Sequence, residues 1–325
     1  MQQISKDTFF EITKSFEIVP FTQSRGMYEF HVLSGIERIH FFVNDIQNPL
    51  MACFGHEKKF LSKKMLLIES ECYASASNSS NIKLIRAFYS EIIQLNYDFV
   101  ETCSIIPYHF NYEIALRQAG YLRPVGQFSF PVTKVIDITK EFQFRRNWQR
   151  NLKNADENNL KFEIIEKVTT KDCEDFVSIY NEMVSRKSLF RKVSTKQIAA
   201  LCSTDDSFIC FVSHNGKRVA ANTIYTHASS ADPCFAATGI EAMQLSASFY
   251  MFRELFLYLR EKGVKTFDIQ KLIPSTGAIN DVFLFKNGMG GEPVVLNGEW
   301  SWYKKKWYRP LMYFVKKYLF KRPEL

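Results

Sequence analysis

No run of apolar residues in this chain of 325 residues approaches the roughly 18–20 that a membrane-spanning helix needs, so no helical span is expected. The opening MQQISKDTFFEITKSF holds no signal-peptide core, and the expectation is a protein made and kept in the cytosol. Cysteine is present but unpatterned. Cys53, Cys72, Cys103, Cys173, Cys202, Cys210 and Cys234 form no Cys-x-x-Cys pair and have no histidines beside them at zinc spacing. They read as reduced, mostly buried thiols, and no metal is expected. The six histidines sit alone, which leaves Ser-His-Asp and Cys-His nucleophile arrangements without local support. There is no Walker lysine motif and no dinucleotide glycine fingerprint after a strand. Acidic residues are nearly missing from one stretch: residues 302–325 hold Glu324 against eight Lys and Arg, so this tail carries +7 of the chain's formal +8. The body is close to neutral.

What is present is enough for two domains. Hydrophobic residues make up 46% of the chain and aromatics 15%, so each domain can bury a core. The chain also repeats itself. RELFLYLREKGVKTFDIQKLIPSTGAINDVFLFKNGMGG, from Arg253 to Gly291, echoes RAFYSEIIQLNYDFVETCSIIPYHFNYEIALRQAG, from Arg86 to Gly120. At one offset Arg86 falls on Arg253, Glu101 on Asp268, Pro107 on Pro274 and Leu116 on Phe283, and one residue of slip brings Gly120 onto Gly288. Each copy reads as helix, short strand, proline-marked loop, helix and glycine stop. Ile85, Phe88, Ile92 and Leu95 recur at helical spacing in one copy, as do Phe252, Leu255, Phe256 and Leu259 in the other. Upstream, Phe42-Val43 and Phe211-Val212 each end a strand and enter a turn. The second turn is His214-Asn215-Gly216, where Asn-Gly supplies the positive φ that a tight hairpin requires.

In chain order the expectations are a helix at Thr8–Phe16, a loop at PFTQSRGMYEF, three strands within 38–69, a loop at Ser70–Asn81, the first copy, and a strand at Phe128–Ile138 closing the first lobe. Residues 140–158 read as a helix carrying Arg145, Arg146, Arg150 and Lys153, stopped at Asn158-Asn159. Then come a strand at Phe162–Ile165, helices at Cys173–Ser185 and Ser194–Leu201, the hairpin 208–226, a strand at Cys234–Gly239, and a long helix capped by Ser246 or Ser248 and ending at Gly263. Gly277 and Gly288–Gly291 bracket the last helix of the repeat, and Pro293–Trp302 closes the second lobe. The domains expected are an N-terminal lobe over 1–138, a C-terminal lobe over 139–301 and a basic aromatic tail over 302–325.

Four stretches in this order resemble the Fem-type peptidoglycan aminoacyltransferases and their relatives: FTQSRGMYEF, ALRQAGYLRP, RNLKNADENNL, and FDI followed by FLFKNGMGGEPV. The resemblance covers roughly residues 5–300. It implies an α+β fold of two tandem acetyltransferase-like (GNAT) lobes, each a mixed twisted sheet flanked by helices. It also implies transfer of an aminoacyl or acyl group onto an amine of a cell-envelope precursor of peptidoglycan or surface polysaccharide, with aminoacyl-tRNA or acyl-CoA as donor and no tightly bound cofactor. A lipid-linked precursor and tRNA become the expected partners, and DNA does not. Two alternatives stand beside it: a CoA-dependent N-acetyltransferase acting on an amino sugar, and a non-catalytic lobe pair used for docking. The chain departs from the family pattern at Met27, where tryptophan is usual, and at His31, which stands where a lysine helps bind the acceptor's phosphates. The glycine-rich pyrophosphate loop of simple acetyltransferases is missing, and ATGIEAMQLSAS precedes the long helix instead.

Acyl transfer needs a deprotonated amine and a stabilised oxyanion. Lys286 is the first choice for anion or transition-state contact, its plain alternative being a solvated lysine. Asp268 is the second, either a functional carboxylate or one bonded inward to a helix end. Arg146 and Arg150 could clamp a phosphate or simply form a solvated helix face. Tyr225 and Glu241 lie where strands should face the cleft. In the tail, Leu311, Phe314, Val315, Tyr318 and Leu319 share one helical face with Lys316, Lys317 and Lys321 off it. That pattern suits peripheral contact of 302–322 with the inner face of the cell membrane, a tRNA, or the protein's own second lobe.

Overall fold

The computed structural model describes residues 1–60, 62–125, 131–188, 192–273 and 280–319. Strand β1 (Gln2–Ile4) and helix α1 (Lys6–Thr13) open the chain, and the Ser5 hydroxyl caps the helix by accepting the Thr8 N–H at 3.1 Å. Helix α2 (Arg25–Leu33) follows where a loop was expected. Its first turn lies so close to Leu201 that a Cβ on Gly26 would stand 2.4 Å from the Leu201 carbonyl oxygen, an approach open only to glycine. Next come β2 (Ile39–Val43), β3 (Met51–Phe60), β4 (Lys63–Ile68), β5 (Cys72–Tyr73), α3 (Ile82–Ile92), β6 (Phe99–Pro107) and α4 (Phe110–Gln118). Strand β7 (Val132–Asp137) leads to α5 (Arg146–Asp156), β8 (Lys161–Ile165), α6 (Thr170–Arg186) and α7 (Thr195–Leu201). The remainder is β9 (Ser207–His214), β10 (Lys217–His227), β11 (Ser230–Thr238), α8 (Ile240–Gln244), α9 (Ala247–Glu261), β12 (Thr266–Asp268), α10 (Asn280–Gly288), β13 (Glu292–Tyr303) and α11 (Tyr308–Phe314), ending in a π-helical turn over Val315–Leu319. Phe128–Phe130, Pro274, Gly277, Phe320, Lys321 and Arg322 lie outside the described residues. No described helix is long and apolar enough to cross a membrane.

The chain forms two compact units. One comprises Met1–Ser24, Ile36–Val132 and Val294–Leu325, and the other Arg25–Gly35 and Thr133–Pro293. In the first, the strand order is β1-β2-β3-β4-β6-β13, antiparallel throughout except for parallel β4 and β6. In the second it is β8-β9-β10-β11-β12-β7, antiparallel throughout except for parallel β11 and β12. The two units repeat one strand order with the parallel pair in the same place, so the chain is two tandem acetyltransferase-like lobes in α+β architecture. The expected closing strands both exist but join other partners. β7 pairs with β12, and β13 pairs with β6. An alternating closing strand looks alike whichever sheet it completes, and sequence proximity pointed to the wrong neighbour.

Local chemistry explains most elements. Asn215 and Gly216 take φ of 50° and 79° in the β9–β10 hairpin. Ile85, Phe88, Tyr89 and Ile92 of α3, and Phe252, Leu255, Phe256 and Leu259 of α9, are the buried stripes on which their sheets pack. Ser246 sits at the N-cap of α9 in a left-handed conformation, but its hydroxyl bonds Asn154 (3.0 Å) and Asn151 (3.2 Å) rather than the helix. Helix α5 starts later than expected because Phe142 and Phe144 are drawn into the core, Phe144 stacking on Trp148 with ring centroids 4.8 Å apart. The glycine match also shifts. Gly120 has φ +86°, and its counterpart after α10 is Gly290 at +90°. Gly288 lies inside α10, where a Cβ would stand 2.3 Å from the Trp148 ring. None of the seven cysteines forms a disulfide, and five are buried.

The tail turns inward on a different face from the one expected. Tyr308 and Met312 pack with Met65 and Phe99 of the first unit, while Phe314 and Tyr318 are exposed. Lys316 is buried and pairs with Glu101 at 2.9 Å. The inward face is set within α11, where Tyr308 and Met312 lie one helical turn apart and leave Phe314 outward, and the π-helical turn begins only at Val315.

One charge lies deep in the first unit. Glu71 is fully buried and accepts hydrogen bonds from Tyr89, from Tyr112 (2.7 Å) and from Thr102 (3.4 Å). Burial pushes its carboxyl above the usual range, and the hydroxyls pull the other way. A carboxyl raised in the folded chain lends stability that is complete below its unfolded pKa and is lost as pH rises through the folded one. The Glu71→Gln chain has no such proton to lose, so its stability should gain on that of the wild type between about pH 4 and about pH 8. Glu71→Leu, which removes the carboxylate that two tyrosine hydroxyls share, should cost about 2–5 kcal/mol at either pH. Urea titrations at both pH values check this, and parallel curves for wild type and Glu71→Gln would mean that Glu71 titrates normally.

Candidate functional site

The second unit opens where β11 and β12 part. The two strands pair only at Ser230 with Thr266 and Ala231 with Phe267. Beyond Asp268 the backbone turns through Gln270, whose φ is +58°, while β11 continues to Thr238. Among the described residues the edge of β11 past Ala231 has no strand partner on this side, and the gap is a cavity of about 600 Å³. Its walls are largely apolar, with Phe249, Phe252 and Phe285 among them. Among the described residues the charged ones lining it are Arg186, Lys187 and Lys286 with one carboxylate, Asp281.

Gln270 ties the polar wall together. Its N–H donates to Asp268 at 2.6 Å, its side-chain amide to Asp232 at 2.6 Å, and its carbonyl accepts the Lys286 ammonium at 3.1 Å. Lys286 also donates to the Lys271 carbonyl at 3.0 Å, and Thr133 donates to Asp268. Helix α10 aims Lys286 because Trp148 donates its ring N–H to the Phe285 carbonyl at 2.7 Å and fills the space beside Gly288. Desolvation drives the Lys286 ammonium down to about 8, with Asp268 opposing and Lys271 assisting. Burial raises the Asp268 carboxyl, against its bonds from Thr133 and Gln270 and the charge of Lys286. Burial, then the neighbouring Asp268, pushes Asp232 up to about 8.

Lys286 and Asp268 therefore meet here, but in different positions. Lys286 lines the cavity, whereas Asp268 and Asp232 stand behind Gln270 and act through it and through the lysine. The other expected residues are placed elsewhere. Glu241 clamps the β9–β10 hairpin, bonding His214 at 2.8 Å and Lys217 at 3.2 Å, which lower its carboxyl in that order. Tyr225 is buried in β10 as the register partner of Asp232, stacked parallel to His227 at 6.4 Å. His31 is buried on α2, its ring edge-on to Phe30 at 6.4 Å. Arg146 and Arg150 lie on the exposed face of α5, Arg150 donating to Asn147 at 3.0 Å. Asp232, Asp281 and Gln270 were not singled out from sequence. Asp232 sits mid-strand with no motif around it, and Gln270 earns its place through backbone conformation alone. Cys234 lines the cavity too, but burial and the Asp232 carboxylate lift its thiol well above the ordinary value, so it is no thiolate nucleophile.

No protein-family model matches the chain, and a search of curated protein sequences finds no match. Solved structures do match. The crystal structure of FemX superposes with a TM-score of 0.76 at 12% identity, over 96% of this chain and 100% of that one. The chain has the FemX fold. L-PGS from Bacillus licheniformis matches at TM-score 0.65 and 12% identity over 99% of both chains. A tandem GNAT protein from the clavulanic acid biosynthesis pathway matches at 0.51 and 5%, over 92% of this chain and 96% of that one. At such identities the fold is what is shared. Within the FemX fold, Lys286 is carried by FLFKNGMGGEPV, one of the stretches on which the sequence resemblance rests.

The electrostatics predict a specific titration. Asp268 holds the Lys286 value up, so Asp268→Asn should lower it from about 8 by about one further pH unit. NMR of labelled lysine, or the pH dependence of amine-selective acylation at Lys286, measures it. An ordinary lysine titration in the wild-type chain would contradict the buried geometry.

Proposed function

We propose that this protein transfers an aminoacyl group from aminoacyl-tRNA to an amine of a cell-envelope precursor. The observation that carries this reading is the desolvated Lys286 ammonium on the wall of a mostly apolar cavity. An ammonium fixed there is worth more to a developing oxyanion than it would be in water. The acceptor amine attacks the ester carbonyl, the new C–N bond forms, and the C–O bond to the ribose breaks. The leaving oxygen takes a proton from Lys286, and Asp281, the carboxylate among the described lining residues, accepts the proton that the amine gives up. Arg186 and Lys187 supply positive charge for the phosphates of the donor. The names of the matched structures, FemX and L-PGS, support a cell-envelope acceptor by fold analogy.

The choice of aminoacyl-tRNA over acyl-CoA is supported by Glu182. Its carboxylate accepts the Ile240 N–H at 2.6 Å, at the start of α8 where ATGIEAMQLSAS replaces a pyrophosphate loop. A carboxylate already seated on that N–H repels a second anion. A CoA-dependent acetyltransferase would need Glu182 to leave.

In a transfer assay with charged tRNA and a muropeptide precursor, Lys286→Met should lower kcat by about 100-fold or more with donor affinity little changed. Because the ammonium form is the active one, wild-type kcat/KM should fall as pH rises through about 8. Binding of CoA in preference to charged tRNA would redirect the proposal to the acetyltransferase reading. Full turnover by Lys286→Met would refute the site.

A further inference from the structure

A second surface, in the first unit and independent of the transfer site, carries chemistry of its own. The turn that follows β13 leaves Lys304, Lys305 and Lys306 exposed in a row, with Trp307 exposed beside them. Helix α11 then buries Tyr308 and Met312 and turns Phe314 outward at 55% exposure, with Tyr318 outward at 58% in the π-helical turn. Sequence alone does not reveal that the β3–β4 hairpin joins this surface. Met65 packs under Tyr308 and Met312, and the Lys63 ammonium lies 5.9 Å from the centre of the Tyr308 ring. The register pairs Lys58 with Met65, so Lys58 and Lys63 project from the face of the hairpin that meets the tail.

The nearby carboxylates are already engaged. Glu101 is paired with the buried Lys316, and Asp98 receives the Lys64 N–H at 3.1 Å and the Tyr308 hydroxyl at 3.4 Å. The lysine charge is therefore uncompensated locally, and it is interleaved with large exposed aromatics. We infer that this surface, built from the β3–β4 hairpin and the segment 304–318, binds an anionic lipid bilayer.

Three features favour a bilayer over a nucleic acid. The exposed cations are lysines, hydrated point charges suited to a diffuse negative plane rather than to bidentate phosphate contact. The Phe314 and Tyr318 rings stack on each other at 15° and 6.1 Å, which removes faces that a base would use. Trp307 packs against Tyr308 at 4.4 Å and remains 56% exposed, as an interfacial anchor at headgroup depth does. Tyr308, Met312 and Val315 fix the helix to the body, so the lysines and rings are already arranged before any bilayer is met.

The test is co-sedimentation of the full chain with phosphatidylcholine vesicles, with and without about one third phosphatidylglycerol. Wild type should bind the anionic vesicles at low ionic strength and leave them at about 0.5 M salt. Lys304→Glu, Lys305→Glu and Lys306→Glu together should lower the partition coefficient by about 100-fold, and Lys58→Glu with Lys63→Glu by about tenfold. Trp307→Ala should weaken binding several-fold and abolish a blue shift of tryptophan emission on vesicle addition. All six positions lie at the surface or half-buried, and circular dichroism confirms that each variant is folded. Equal binding by wild type and the triple variant, or no binding by wild type at low salt, would overturn the inference. So would a triple variant that loses tRNA affinity while keeping its vesicle affinity, which would assign the surface to nucleic acid.

Discussion

Everything at the candidate site depends on two strands that stop pairing. β11 and β12 share two residue pairs, and then the left-handed turn at Gln270 carries one of them away. A non-glycine residue in that conformation costs of order 1 kcal/mol and persists only where its surroundings hold it. Here three bonds from Gln270 do so, to Asp268, Asp232 and Lys286. The same bonds set the chemistry. The turn that opens the cavity also places the lysine on its wall and the two carboxylates behind it. Structure and electrostatics cannot be altered separately at this point.

Duplication shows what the opening is for by showing where it has closed. In the first unit β4 and β6 occupy the places of β11 and β12, and they stay bonded further: the Ile105 N–H reaches Ser70, beyond the Ile68–Thr102 pair. The end of β4 runs into Glu71, and Tyr89 and Tyr112 fill in around it. Glu101, at the position matching Asp268, faces Lys316 instead of a cavity. One sheet plan is thus packed shut in one copy and opens into a cavity in the other. The difference lies in side-chain volume and in how far one strand pair persists.

Sequence carried the architecture well because the signals involved are short-range. The Asn215-Gly216 turn, the apolar stripes of α3 and α9, and the repeated helix–strand–helix order all appear where they were expected. Lys286 and Asp268 were singled out because they fall in the repeated segment, and the fold brings both onto Gln270. Strand partners were not legible, because an alternating strand such as β7 or β13 carries no label for the sheet it joins. Glu241 was misplaced for a related reason: a carboxylate just past a strand end can face a cleft or a hairpin, and His214 and Lys217 draw it to the hairpin. Asp232 and Gln270 were invisible, since their roles arise from a burial and a backbone angle that exist only in the folded unit. The tail pattern failed at Phe314 because the buried stripe of α11 runs through Tyr308 and Met312 and leaves Phe314 outward.

The pairing of β13 with β6 also governs when the protein can become itself. The Asn297 side chain that accepts the His109 N–H is 188 positions away along the chain. On a ribosome, the first unit therefore waits for the second to be read before its last strand arrives. Meanwhile the edge of β6 that β13 will cover is open, and an open edge invites strange strands. The second unit is different, because β7 precedes the rest of its sheet in the chain. Newly made chains should thus mature from the middle outward, and the part synthesised first is the last to be completed.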